Sequence, residues 1–446
     1  MANAQEKAAL KTAIKNIKTG GRVGSAAMRA NPDRRFRTGS FDLDQALGGG
    51  GRFGTILGFF GEKSGGKTTT AKRIIGKLQN YCRNCLRPAH NIQAVEPSPE
   101  ELAEDPETRW TATGHCDCYT VGEMLWPPTE PAKDKDEKPK AYAERVEAWR
   151  EGLKKNSYEE FVCSWVDAEQ AYDKGYAASL GVDNRRLALV TPSNAEEALD
   201  IMSAIALSLA VDFEVIDSIA QLTPRKEIEE SMEDWQQGLA ARLMNKGARK
   251  LVAASAHTQN SNRLLTQIWI NQQRDKIGVM FGDPTVKPGG KGQDYAISAE
   301  VRFMKNTVKV VQEQYGAKDE VDTVPVTVDI NFKVTKNRTS ATQGIEGSYT
   351  QLARANDRGP VGTVVEDEKI WKRAMHYLVV QDAKKGTYTL GDEVFTAQKT
   401  ILERIREDGM FREAVCEALL TKMLSQSGDV AKAMTAAAKK KEDAKK

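Results

Sequence analysis

The chain has no run of about 18 apolar residues, the length a helix needs to cross a bilayer, so a membrane-spanning protein is not expected. Its amino terminus lacks the apolar stretch that marks a secretory signal, which points to the cytosol. Charge of one sign is missing too. With 65 Lys and Arg against 62 Asp and Glu, the formal net charge is +3, and any nucleic-acid contact must come from local clusters. Cysteine is scarce: there are six in 446 residues, and four of them form two tight pairs, Cys82-x-x-Cys85 and Cys116-x-Cys118. In a reducing compartment such pairing fits a metal better than a disulfide framework. The length allows one large core with one or two satellites.

What is present is organised around Gly61-Glu62-Lys63-Ser64-Gly65-Gly66-Lys67-Thr68, between an apolar run at 55–60 and a helical pattern that opens at Thr69. Backbone N–H groups of such a Gly-rich turn wrap a polyphosphate, and the following helix adds its positive end. Lys67 is expected to reach the β- and γ-phosphates of a nucleoside triphosphate, and the Thr68 hydroxyl to ligate Mg²⁺. Further on, Phe213-Glu214-Val215-Ile216-Asp217 ends an apolar run in a carboxylate. In a parallel sheet Asp217 would lie beside the P-loop and reach Mg²⁺ through its water shell.

Between the P-loop helix, expected to end near Asn80, and the next core-strand candidate at 161–166 lie some 80 residues, long enough to carry structure of their own. Cys82 and Cys85 open this insertion, and Cys116 and Cys118 follow within it. As thiolates they would hold tetrahedral Zn²⁺, with His90 or His115 able to replace one of them; free thiols are the alternative. A Pro- and charge-rich linker follows at 126–140, then helical spacing through Tyr142, Val146 and Trp149. At the amino end, Leu10, Ile14 and Ile17 lie at helical spacing opposite a row of lysines. They predict an amphipathic helix that packs on its own core or on a neighbouring subunit.

The phrase Thr38-Gly39-Ser40 to Ala46-Leu47-Gly48 ahead of the P-loop resembles the bacterial RecA recombinases, and the resemblance continues downstream. It becomes near-verbatim at Lys276-Ile277-Gly278-Val279-Met280-Phe281-Gly282, followed by Pro284 and Gly289-Gly290. Val166-Asp167-Ala168-Glu169 is similar to the segment with that family's catalytic glutamate. The resemblance implies that Glu169 polarises the attacking water, and that Asp173 and Tyr176 flank the base; read from the residues alone, these are a loop acid and helix surface. It also implies that Gln272 senses the γ-phosphate, where the plain alternative is a strand cap. Lys336 and Arg338 would reach the neighbouring subunit's ATP, as an arginine finger does. Arg338 stands where a Lys is usual.

The same resemblance assigns two loops to single-stranded DNA. Met232 lies in the first, with Arg242, Asn245 and Arg249 on the helix behind it; Asn245 replaces the usual Ser. The second carries Arg274, Lys276, Ile277, Phe281, Gly289, Gly290 and Lys291, together with Lys287. Its cations and flexible backbone suit phosphates, and its apolar groups suit wedging between bases. Without the family pattern, such a loop also fits a mobile lid over the nucleotide.

The sequence therefore predicts an α/β chain: a RecA-like P-loop ATPase core with a mostly parallel sheet flanked by helices, an N-terminal oligomerisation helix and a small α/β C-terminal domain. The expected divisions are 1–37, 38–80, 81–160 for the insertion, 161–361, 362–430, and a Lys-rich tail at 431–446. The expected activity is ATP- and Mg²⁺-dependent assembly of a homo-oligomeric filament on single-stranded DNA, pairing with a homologous duplex, and strand exchange in the cytoplasm of a bacterium or of a phage's host. A ring-forming DNA motor of the same core, a helicase or branch-migration ATPase, is the alternative.

Overall fold

The computed structural model describes residues 34–83, 86, 88–115, 119–120, 140–142, 144–145, 154–155, 158–231, 238–258, 264–275, 285–290, 292–314, 321–382, 384–391 and 393–424. The expected N-terminal helix and the Lys-rich tail lie outside these residues.

Helix α1, Phe41–Ala46, begins where Ser40 accepts a hydrogen bond from the Leu43 N–H. Strand β1, Ile56–Gly61, is buried along its whole length, as an unbroken apolar run in a parallel sheet should be. Helix α2, Lys67–Leu78, starts from Gly66, whose φ of +94° turns the chain from the P-loop into the helix. Then come β2, Cys163–Asp167; α3, Lys174–Ser179; β3, Leu187–Val190; α4, Ala195–Ser208; β4, Phe213–Asp217; α5, Leu239–Thr258; and β5, Thr266–Ile270. Helix α6, Gly292–Ala296, precedes β6, Ala299–Phe303; β7, Thr307–Gln314; β8, Val321–Asn337; and β9, Glu346–Leu352.

These strands form one nine-stranded sheet in the order β7-β8-β6-β1-β5-β4-β2-β3, with β9 also paired to β8. The pairs β6/β1, β1/β5, β5/β4, β4/β2 and β2/β3 are parallel, and β8 runs antiparallel to β6, β7 and β9. The sheet is thus mostly parallel, with an antiparallel extension that the sequence pattern had not disclosed. Leu57, Phe59, Trp165, Phe213 and Val215 pack with Ile74 and Ile75 of α2 on one face. Ile56, Val166, Ile216 and Trp269 meet Leu199 and Met202 of α4 and Met244 and Leu251 of α5 on the other. That two-sided burial places the carboxyl ends of β1, β2, β4 and β5 side by side, where ligands bind in open α/β sheets.

The chain leaves the core after α2 and returns before β2, and the Arg83 N–H donates to the Glu159 carbonyl at 2.8 Å where the two meet. Between them, strands at His90–Val95 and Thr111–His115 pair antiparallel, with His90 opposite His115. Beyond β9, helix α7, Asp367–Tyr377, packs with a three-stranded sheet and helix Gln398–Glu407 around Ile370, Ala374, Ile401, Ile405 and Leu419. This unit is fixed to α1 by Glu366, which is 1% exposed and accepts from Ser40 Oγ, Phe41 N and Asp42 N at 3.0, 2.7 and 3.2 Å. Among the described residues no helix is long and apolar enough to cross a membrane.

Candidate nucleotide and DNA site

The P-loop sits at the end of β1, where sterics leave little choice of residue. Gly61 has φ +138°, and a Cβ there would lie 1.9 Å from the Phe303 carbonyl oxygen. Any side chain would prise β1 from β6. Lys67 is 7% exposed and donates to the Gly61 carbonyl at 3.1 Å and to that of Glu62. Burial pulls its pKa down, while Asp217, Glu169 and Glu62 push it back up. The Thr68 hydroxyl donates to Asp217 Oδ2 at 2.9 Å. Asp217 lies at the end of β4, with its pKa raised to about 7 by burial first and by the charge of Glu169 second.

Glu169 follows β2. Its loop is held from two sides. Asp167 accepts from Ala171 N and Tyr172 N at 3.2 and 2.9 Å, and the Ala168 and Glu169 N–H groups donate to the Asp217 carbonyl at 2.8 and 3.1 Å. Glu169 Oε1 accepts from Ser218 Oγ at 2.5 Å and from Gln272 Nε2 at 2.8 Å. Asp173 caps α3 by accepting from Tyr176 N at 2.8 Å, and the Tyr176 hydroxyl shares a 2.8 Å hydrogen bond with Thr69 Oγ1. Glu169, Asp217, Thr68, Lys67 and Gln272 thus converge at one end of the sheet.

From Gln272 a chain of hydrogen bonds leads away, through residues the sequence reading did not single out. The Gln272 N–H donates to Asn271 Oδ1 at 2.9 Å. Asn271 Nδ2 donates to Gln293 Oε1 at 2.9 Å and to the Pro288 carbonyl at 3.0 Å, and Gln293 Nε2 donates to the Gly290 carbonyl at 3.1 Å. Asn271 and Gln293 are 3% and 1% exposed, so the bond between them is shielded from water, while the bonds on either side of it are part-buried. The only hint in the sequence was that Asn271 adjoins Gln272; Gln293 gave none.

The second DNA-loop candidate is closed at its base by a short antiparallel pairing of Arg274 with Val286 and Asp275 with Thr285. Gly289 and Gly290, at φ +88° and +76°, let the backbone lie close against Ile219, Met244 and Ala241. Arg274 is exposed, as are Arg242 and Arg249 on α5. Asn245 is half-buried, and its side-chain oxygen lies where a Cβ on Gly292 would be, 1.9 Å away. Lys287 faces inward: its Nζ lies 2.5 Å from both Asp294 Oδ1 and Glu300 Oε1, so the charge counted toward the loop is bound within the fold. Met232, Lys276, Ile277, Phe281 and Lys291 lie outside the described residues.

Lys336 and Arg338 come from the end of β8 and the residue after it. Lys336 donates to the Ile297 carbonyl at 2.6 Å and to that of Asp294, and Arg338 to the Tyr295 carbonyl at 3.1 Å. Both therefore rest on α6 and the residue that follows it. In the insertion, Cys82 is fully buried against Ala89 and Tyr158, while Cys85, Cys116 and Cys118 lie outside the described residues. Among the described residues no three His, Cys, Asp or Glu side chains are grouped to hold a metal.

The profile of the RecA N-terminal domain matches residues 153–346. The protein RecA of Staphylococcus aureus strain JH9 is 33% identical over 273 residues, which cover 60% of this chain and 71% of the relative. RecA of the strains Newman and JH1 gives the same figures.

Proposed function

The chain belongs to the RecA family of DNA recombination and repair proteins, and from that premise we propose that it is a DNA-dependent ATPase that assembles on single-stranded DNA when ATP is bound. It then pairs that strand with a homologous duplex, in the cytoplasm. The observation that carries this reading is the path from Glu169 through Gln272, Asn271 and Gln293 to the carbonyls of Pro288 and Gly290. A change at the phosphate end has a hydrogen-bonded route, buried at its centre, to the base of the DNA loop, a switch of the disorder-to-order kind.

The donor set fits ATP and Mg²⁺. A hydroxyl and a carboxylate oxygen, Thr68 and Asp217, are the hard ligands Mg²⁺ takes, and the ammonium of Lys67 lies on the P-loop from Gly61 to Thr68. When bound, Mg²⁺ neutralises charge that builds on the phosphates. Glu169 orients and deprotonates the attacking water, as a carboxylate held by two donors can. Lys67 steadies the β- and γ-oxygens, and Gln272 reports their presence to the loop. Lys336 and Arg338 reach the ATP of an adjoining subunit, where fixed cations favour the transition state over the ground state. Arg242, Arg249 and Arg274 contact phosphates of the strand, with Met232, Lys276, Ile277, Phe281 and Lys291 completing the grip.

Negative-stain microscopy of the chain with single-stranded DNA and a non-hydrolysable ATP analogue tests this. Helical filaments that require the nucleotide are expected. Closed rings that unwind a forked duplex in one direction would replace the recombinase reading with that of a motor.

For the insertion we propose Zn²⁺ held by Cys82, Cys85, Cys116 and Cys118. The register of His90 opposite His115 supports this, since it sets the strand that follows the first cysteine pair beside the strand that runs into the second. Metal analysis after chelator-free purification should find about one equivalent; less than about half would count against it.

A further inference from the structure

Lys72 lies on α2, one helical turn past Thr68, and is 2% exposed. An ammonium so enclosed needs partners to replace its water. It finds aromatic faces. Its Nζ is 4.4 Å from the centroid of the Tyr172 ring, 5.5 Å from that of Tyr176 and 5.7 Å from that of Trp165, and it donates to the Asp173 carbonyl at 3.4 Å. Burial lowers its pKa, and the carboxylates of Asp217, Asp173 and Asp167 act against that, favouring the charged form. Tyr172 is anchored independently, by its N–H on Asp167 and its hydroxyl on Asn184 Oδ1 at 2.9 Å.

Two of the groups that Lys72 touches, Asp173 and Tyr176, are those assigned above to the base of the nucleotide. We propose that Lys72 is a positioning residue for that base: its ammonium, seated among Tyr172, Tyr176 and the Asp173 carbonyl, fixes the aromatic platform against which the base rests. The proposal depends on the ATP-binding reading above. A cation anchored on the P-loop helix restrains both the tilt of the rings and the first turn of α3, because displacing either gives up a desolvated cation–π attraction. It also ties the platform to the helix that carries Thr68 and Thr69, so that base and phosphates are presented from one rigid element.

Titration calorimetry of the full chain with Mg²⁺ and either ATP or inorganic tripolyphosphate, which has no base, tests it. Lys72→Met keeps the length of the side chain and removes the charge. It should weaken ATP by about five- to tenfold while leaving tripolyphosphate within about twofold. Lys72→Arg should restore most of the ATP affinity. Equal losses for both ligands, or none, would overturn the assignment. If Lys72→Met does not fold, Tyr172→Leu removes the nearest ring and should give the same loss confined to ATP; a loss shared with tripolyphosphate again overturns it. A wild-type chain that binds neither ligand would overturn the nucleotide reading itself, and this proposal with it.

Discussion

Gln272 Nε2 donates to Glu169 Oε1 at 2.8 Å, so the end of β5 is tied to the carboxylate that follows β2. The same oxygen accepts from Ser218, and the amide that reaches it belongs to the residue beside Asn271. One carboxylate oxygen therefore stands between the P-loop end of the sheet and the base of the loop proposed to hold DNA. Glu169→Gln should lower the rate of DNA-stimulated phosphate release by about 10²–10⁴-fold, the range for loss of a positioned general base, while ATP still binds. Gln272→Ala should leave ATP binding close to wild type and make affinity for single-stranded DNA the same with and without the nucleotide. Filter binding with ATP analogue present and absent checks the second outcome, and a nucleotide-dependent difference that survived would remove Gln272 from the coupling.

Lys287 gives a prediction of opposite sense to its place in a basic loop. Because Glu300 and Asp294 hold it, Lys287→Met should leave the salt dependence of DNA binding unchanged, whereas Arg274→Met should lower the slope by about 0.7 for one lost phosphate contact. The Lys287 variant should instead lose about 1–3 kcal/mol of stability in urea, since Glu300 at 7% exposure is left without its cation. A fall in the salt slope for Lys287→Met would show that the ion pair opens on DNA.

Glu214 lies fully buried on β4, beside Ser164 of β2 and Gln267 of β5, and burial raises its pKa to about 8, with the hydrogen bond from Gln267 opposing only part of the effect. The folded chain thus holds a proton that the unfolded chain, at the ordinary carboxyl value, gives up earlier. Its contribution is full in acid and is lost as pH rises toward 8, by about 1.4 kcal/mol per pH unit for one proton, and then levels off. Glu214→Gln should remove that part of the slope. Urea titrations from pH 5 to 9 on both proteins measure it, and parallel curves would mean that Glu214 is not the group responsible.

Glu366 caps α1 from outside that helix. Glu366→Ala leaves Phe41 N, Asp42 N and Ser40 Oγ without their acceptor and should cost about 2–3 kcal/mol. It should also make the segment from residue 367 onward more open to limited proteolysis, because Glu366 leads directly into α7. Unchanged stability and an unchanged digestion pattern would show that the cap is dispensable.

The P-loop, the strand before it and the Asp217 strand were legible because each is written in a few consecutive residues: glycines that the turn requires, an apolar run that the sheet buries, a carboxylate at its end. What could not be read was pairing between distant residues. Lys287 looked like a phosphate contact because sequence displays a charge but not Glu300 turned toward it. Nothing in the sequence marks Lys72, because the rings that cover it, Tyr172 and Tyr176, lie about 100 residues further along the chain. Gln293 carries no pattern at all; its importance comes from Asn271, which reaches it from another element. The antiparallel extension was hidden for a different reason. Strand β8 serves β6 and β7 along one side and β9 on the other, and the alternation along its 17 residues does not say which partner each stretch takes.

Arg83 meets Glu159 twice, its N–H on the Glu159 carbonyl and its guanidinium on the Glu159 carboxylate, so departure from the core and return to it occur at almost the same place. The enclosed segment also meets the core ahead of β3, where the Trp110 N–H donates to the Arg185 carbonyl at 2.8 Å and the Arg185 guanidinium lies over the Trp110 ring, so it is moored at two places. Changes in its length fall between those moorings, away from the ends of α2 and β2.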